Sequence, residues 1–104
     1  MRIVIAGAGE VGTHLATLLT RDKHDIVLIT EDEQTHNSAC SKEDLLKVSG
    51  SPTSISFLKE IGVEQCKLFV AVTPDESRNM TSCMLAKKLG AEITVARVDT
   101  MEYM

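Results

Sequence analysis

The chain has no tryptophan, one tyrosine and two phenylalanines, so aromatic rings contribute little to its interior. A core must then be assembled from Val, Ile, Leu, Ala and Met. Basic residues are also short: fifteen Asp and Glu face eleven Lys and Arg, for a net charge of −4. That balance excludes nucleic acid as the main partner, because a phosphate backbone needs a basic face. No apolar run approaches the roughly 20 residues of a membrane-crossing helix. Cys40, Cys66 and Cys83 are odd in number and widely spaced, with no CxxC pair. This usage fits reduced thiols in a cytosolic protein and offers no metal-ligand spacing. The start, Met1-Arg2-Ile3-Val4, enters an apolar run at once, without the layout of a signal peptide. Repeats, low-complexity tracts and linkers are missing too. The expectation is a single domain over residues 1–104, cytoplasmic and cut from a longer chain.

What is present alternates short apolar runs with helix-length stretches. Ile3-Val4-Ile5-Ala6, Ile26-Val27-Leu28-Ile29, Leu45–Val48, Leu68–Val72 and Ile93–Val98 are β-branched or apolar runs of strand length. Between them, Val11, Leu15, Leu18 and Leu19 recur at helical spacing over 10–21, and a polar stretch over 33–42 reads as a weak helix. Ile55, Leu58 and Ile61 mark a helix over 54–61, with Gly62 placed to end it. Met80, Cys83, Met84 and Leu85 mark a helix over 75–89, stopped by Gly90. Strands buried on both faces and joined by helical crossovers predict an α/β fold, a doubly wound parallel sheet with helices on both faces. Five strands are expected, where a full sheet of this kind adds a sixth.

Gly7-Ala8-Gly9-Glu10-Val11-Gly12 fits G-x-G-x-x-G, and it follows a predicted strand and opens a predicted helix. In that setting Gly7 permits the tight turn, Gly9 lets backbone approach a pyrophosphate, and Gly12 allows close packing of the helix. Free amides and the positive end of the helix dipole then favour a phosphate. This is the Rossmann-type dinucleotide signature. Its usual companion is an acid at the tip of the second strand that holds the ribose hydroxyls. Here the tip is Thr30, followed by Glu31-Asp32-Glu33. Either Glu31 or Asp32 reaches the ribose, or the three carboxylates form a solvated helix start favoured by the dipole. The acids disfavour a 2′-phosphate, so NAD is expected over NADP.

The opening Met-Arg-Ile-Val-Ile-Ala-Gly-Ala-Gly-Glu-Val-Gly, Gly50-Ser51-Pro52-Thr53, Phe57-Leu58-Lys59-Glu60-Ile61-Gly62-Val63, Phe69-Val70-Ala71-Val72-Thr73, Asn79-Met80 and Ala96-Arg97-Val98 together resemble one family over nearly the whole chain. It is the nucleotide-binding (RCK or KTN) domain of bacterial TrkA-type potassium-uptake regulators. The resemblance implies a cytoplasmic regulatory subunit, peripheral to the inner membrane, that binds NAD(H), or ATP or ADP, and gates a membrane potassium transporter subunit. It also implies a homo-oligomer, a dimer or a higher ring. Carried over by position, Gly7, Ala8, Gly9, Glu10, Val11 and Gly12 match the phosphate loop. Ser51 falls where an Asp often contacts the adenine side, Thr73 at the cleft mouth, and Asn79 with Met80 at the start of the next helix. Arg97 matches a basic position on the fifth strand, for phosphate or subunit contact. Plainer roles stay open: Thr73 as a helix cap, Arg97 as the partner of a surface acid. Thr30 and Ser51 depart from the family pattern. Losing two charged hydrogen-bond partners, each worth roughly 1.5–3 kcal/mol, predicts weaker nucleotide binding than is usual.

Two other functions compete. One is the cofactor half of an NAD-dependent dehydrogenase, which would need a general acid or base beside the nicotinamide. His14, His24 and His36 fall on a helix, in a turn and on the polar stretch, where surface positions are expected. The other is a degenerate module used only for subunit contact; the intact glycine loop speaks against it.

Overall fold

A computed structural model describes residues 2–7, 9–22, 24–30 and 45–98. The strands are β1 (Arg2–Ala6), β2 (Asp25–Thr30), β3 (Leu45–Ser49), β4 (Leu68–Ala71) and β5 (Ile93–Ala96). They form one parallel sheet in the order β3-β2-β1-β4-β5. The helices are α1 (Glu10–Arg21), α2 (Ile55–Glu60) and α3 (Glu76–Leu89), with a short 3₁₀ turn over Val63–Gln65. The predicted boundaries shift by one or two residues because the caps carry them: Ser54 and Asp75 are N-caps whose side chains accept from the Phe57 and Arg78 N–H groups. The predicted helix over 33–42, and Cys40, lie outside the described residues.

Alternation along the strands divides the interior into two layers. Ile3, Ile5, Ile26, Leu28, Leu45 and Val70 face α1 and meet Ala16. Val4, Ala6, Val27, Ile29, Phe69 and Ala71 face the opposite way, onto Leu58 of α2 and Cys83 and Ala86 of α3. Burial on both faces holds for the central strands past their first residues, Arg2, Asp25 and Leu68. It does not hold at the edges, where Leu46 of β3 and Ile93 and Val95 of β5 are half exposed.

The helix faces also differ from the predicted ones. Met80 and Met84 are exposed, and α3 instead buries Asn79, Ser82, Cys83 and Ala86. Val11 and Leu18 of α1 and Ile55 of α2 are exposed as well, while α1 buries Gly12 and Ala16. Small side chains let the helix axes approach the sheet closely. The larger apolar residues are left on the flanks. The described methionines are thus not core residues, and two cysteines are.

Cys66 and Cys83 are free and buried, and burial pushes both thiols above their ordinary pKa, outweighing the nearby Arg2 charge at Cys66 and backbone hydrogen bonds at Cys83. The unfolded chain sheds these protons near pH 8.5 while the folded chain keeps them. Above that pH the unfolded state binds fewer protons, so stability falls as pH rises; below it the thiols contribute no slope. The expected slope is at most about 1.4 kcal/mol per pH unit for each thiol. Urea melts between pH 7.5 and 10 measure it. Replacing both cysteines by alanine should flatten the slope, and an equally steep decline in that variant would assign it to other groups.

Candidate nucleotide-binding cleft

β1 is the middle strand, and the chain leaves it in opposite directions: through α1 to β2 on one side, while β4 lies on the other. In open α/β sheets, the strand ends at such a reversal leave a crevice for ligands. A cleft of about 350 Å³ lies there, lined by Gly7, Ile29, Pro52, Thr73, Pro74, Asp75 and Arg78. That is within the range of small-molecule sites.

The glycine loop is built by backbone contacts. Gly7 has φ +114°, a conformation L side chains rarely adopt, and its N–H donates to the Ile29 carbonyl at 2.9 Å. A Cβ at Gly7 would lie 3.0–3.1 Å from the backbone of Val72 and Thr73. Gly12 is tighter still, because a Cβ there would stand 1.6 Å from the Gly7 carbonyl oxygen. Its glycine therefore seats α1 on the loop itself, with the Val72 side chain beside it, as well as near the sheet. Gly9 is the opposite case: among the described residues, a Cβ would meet nothing within 4 Å. It is the N-cap of α1 and has no side-chain cap, so the first-turn amides have no side-chain acceptor from that position. An open approach to an uncapped helix start is what a phosphate group requires.

The other predicted positions are dispersed. Glu10 and Val11 are exposed and border a shallow groove on the outer face of α1, with Thr13, His14, Leu15, Thr17 and Leu18. Thr30 is buried at the tip of β2, its carbonyl accepting from the Gly50 N–H at 2.9 Å. Ser51 sits beside the cleft-lining Pro52, and its hydroxyl is 2.9 Å from that of Thr53. Arg97 lies at the end of β5, where its N–H donates to Ala71. Ala8, Glu31 and Asp32 lie outside the described residues.

Thr73 and Asn79 form one buried unit. Asn79 Oδ1 accepts from the Thr73 N–H at 2.9 Å and from the Thr73 hydroxyl at 2.6 Å. Its Nδ2 donates to the carbonyls of Thr73 at 2.9 Å and Arg97 at 3.1 Å. With 1% of its surface exposed, Asn79 braces the cleft-lining Thr73 from beneath and is not itself among the residues that line the cleft. Thr73 does not cap α3; Asp75 does, while the Thr73 hydroxyl accepts from the Asp75 N–H at 3.3 Å in a local turn.

Sequence reasoning missed Ile29, Pro52, Pro74, Asp75 and Arg78 as cleft residues. The signal was available for the prolines. Each stands just past a strand end, where ligands gather, and they are the only two in the chain. Neither described histidine lines the cleft, and no cluster of three metal-ligating side chains occurs among the described residues. No described helix is long and apolar enough to cross a membrane.

A parallel sheet of this order, with a glycine loop at its reversal, defines the class: a Rossmann-type nucleotide-binding fold. Solved structures share it. The NAD(P)-binding domain of an exopolyphosphatase-related protein from Archaeoglobus fulgidus superposes with a TM-score of 0.82 at 17% identity, over 96% of this chain and 74% of that one. The GsuK channel bound to NAD gives 0.76 at 21% identity, over 90% of this chain and 17% of that one. The Shewanella denitrificans Kef C-terminal domain in its AMP-bound form gives 0.75 at 16%, over 91% and 57%.

Within that class the chain belongs to the TrkA-N domain family, whose model matches residues 3–104. It is 41% identical over 103 residues to a Trk system potassium uptake protein TrkA homolog of Archaeoglobus fulgidus, covering 99% of this chain and 23% of that protein. It is 36% identical to the Trk system potassium uptake protein TrkA of Haemophilus influenzae, over 100% of this chain and 23% of that protein. A homolog from Methanothermobacter thermautotrophicus is 35% identical, with 99% of this chain and 48% of that protein covered. The chain thus spans between a quarter and a half of these relatives.

Proposed function

We propose that this domain is the nucleotide sensor of a potassium-uptake regulator, binding NAD(H), or ATP or ADP, in the cleft at the ends of β1 and β4. The observation that carries this is the start of α1: Gly9 leaves open space before a helix terminus with no side-chain cap. In this reading the amides from Ala8 to Val11 hold phosphate, and Glu31 or Asp32, just past Thr30, holds the ribose. Ile29, Pro52 and Pro74 form apolar walls for the base, with Ser51 and Thr73 at the rim. Arg97 serves phosphate or subunit contact. The names of the relatives support potassium uptake as the setting, and two structures of the same fold hold NAD and AMP. The domain then works as part of a longer chain, cytoplasmic and peripheral to the inner membrane. There it assembles with copies of itself and with a membrane transporter subunit, which it regulates by sensing rather than by catalysis. A nucleotide can drive such regulation only through its different affinities for two shapes of the domain.

Calorimetric titration with NAD, NADH, ATP and ADP, with thermal shift alongside, tests this. One of them should saturate at one site, and a hundredfold excess over Kd should add about 2.7 kcal/mol to stability. Without acids at Thr30 and Ser51 the expected Kd is weaker than low micromolar. Tighter binding would sink that part, and no binding by a folded sample would leave a domain used only for subunit contact.

A further inference from the structure

We infer that Asn79 is a positioning residue that couples the cleft to the end of β5. The inference rests on the nucleotide-sensing reading and extends it to regulation. Two separate segments converge on this one side chain. The first is Thr73, in the cleft wall, whose N–H, carbonyl and hydroxyl all bond to the Asn79 amide. The second is Arg97, whose carbonyl accepts from the same Nδ2 at 3.1 Å, eighteen residues away along the chain. Both Asn79 amide atoms are therefore engaged, Oδ1 by two donors and Nδ2 by two acceptors.

Burial makes this link stiff. Asn79 is 1% exposed, and a buried amide that loses a partner has no water to replace it. A ligand that presses on Thr73, Pro74 or Asp75 can move that wall in two ways: it breaks the Asn79 bonds, or it carries the Arg97 backbone along. The receiving end suits a readout. β5 is a sheet edge; Ile93 and Val95 on it are each 49% exposed, and Val98 just beyond it is 40% exposed. At the end of β3, the other edge, the Gly50 N–H donates to the Thr30 carbonyl at 2.9 Å.

The test follows backbone amide signals of the chain by ¹H–¹⁵N NMR, saturating with NAD in one arm and ADP in another. In the unmodified protein, the Arg97 and Val98 signals should shift on saturation together with those of the glycine loop. In Asn79→Ala, saturated in the same way, the loop signals should still shift while those of Arg97 and Val98 stay at their unliganded positions. A merely structural role would lower stability and leave the shifts at Arg97 and Val98 in place; that result overturns the inference while nucleotide binding stands. Asn79→Ser, too short to span Thr73 and Arg97, is measured in parallel and should give the same uncoupling if the alanine variant does not fold. Failure of the unmodified protein to bind either nucleotide would overturn the sensing reading and this inference with it.

Discussion

Gly12→Ala is expected to lower stability by about 3 kcal/mol or more, because the added methyl would have to occupy the position of a backbone oxygen. The Cβ would stand 1.6 Å from the Gly7 carbonyl oxygen, and no rotamer change relieves a clash made by Cβ itself. Relief requires α1 to lift off the loop, or Gly7 to rotate. Gly7 is held on one side by its bond to Ile29 and faces the Val72–Thr73 backbone on the other. For a domain of this size the loss corresponds to a drop in melting temperature on the order of 15 °C. Nucleotide affinity should fall with it, since lifting α1 misplaces the amides aimed at the phosphate. Calorimetric melting decides the matter. A cost below about 1 kcal/mol would mean that the helix–loop contact is soft and that Gly12 has some other purpose.

Gly9→Asp should leave stability intact while sharply weakening binding. At φ −74° and ψ −165° the Gly9 backbone is already extended, and a side chain there meets open space. Aspartate is among the best N-cap residues, better than glycine by a few tenths of a kcal/mol, so the melting temperature should hold or rise slightly. Its carboxylate would accept from the first-turn amides that a phosphate would use, and would repel the phosphate as well. The expected loss in nucleotide affinity is about a hundredfold, read by the same titration. A variant that melts normally and binds as well as the parent would place the phosphate elsewhere. The two substitutions separate what neighbouring glycines do: one keeps the helix seated, the other keeps the door open.

Much of the fold was legible because strand and helix periods differ and glycines punctuate them. Ile3–Ala6 and Ile26–Ile29 could hardly be anything but buried strands, and G-x-G-x-x-G in its strand–helix setting placed the loop. The helix faces were not legible in the same way. Val11, Leu18, Met80 and Met84 recur at helical spacing and read as core, yet they are exposed while Gly12, Ala16, Ser82 and Ala86 lie against the sheet. Hydrophobic periodicity ranks side chains by greasiness, whereas close approach of a helix to a parallel sheet selects them by size. The cleft was half visible for a related reason. Gly7 and Thr73 carry motif signals, but Arg78 is identified only once α3 is known to begin at Glu76 and to present its first turn to the strand ends. Asn79 was found as a pattern match, and its role became apparent only when Arg97 was brought next to it.

The strand order has a consequence for how the chain comes to exist at all. β1 is made first and lies in the middle. Its Ile3 pairs with Leu68 on one side and with Ile26 on the other. A nascent chain that has completed β1, β2 and β3 holds a strand apolar from Ile3 to Ala6 with one flank unpaired, and the partner for that flank has yet to be synthesised. Such an edge invites association with other chains, and contacts this distant along the sequence form slowly. From the emergence of Ser49 to the arrival of Leu68, translation thus leaves that flank of β1 without its native partner.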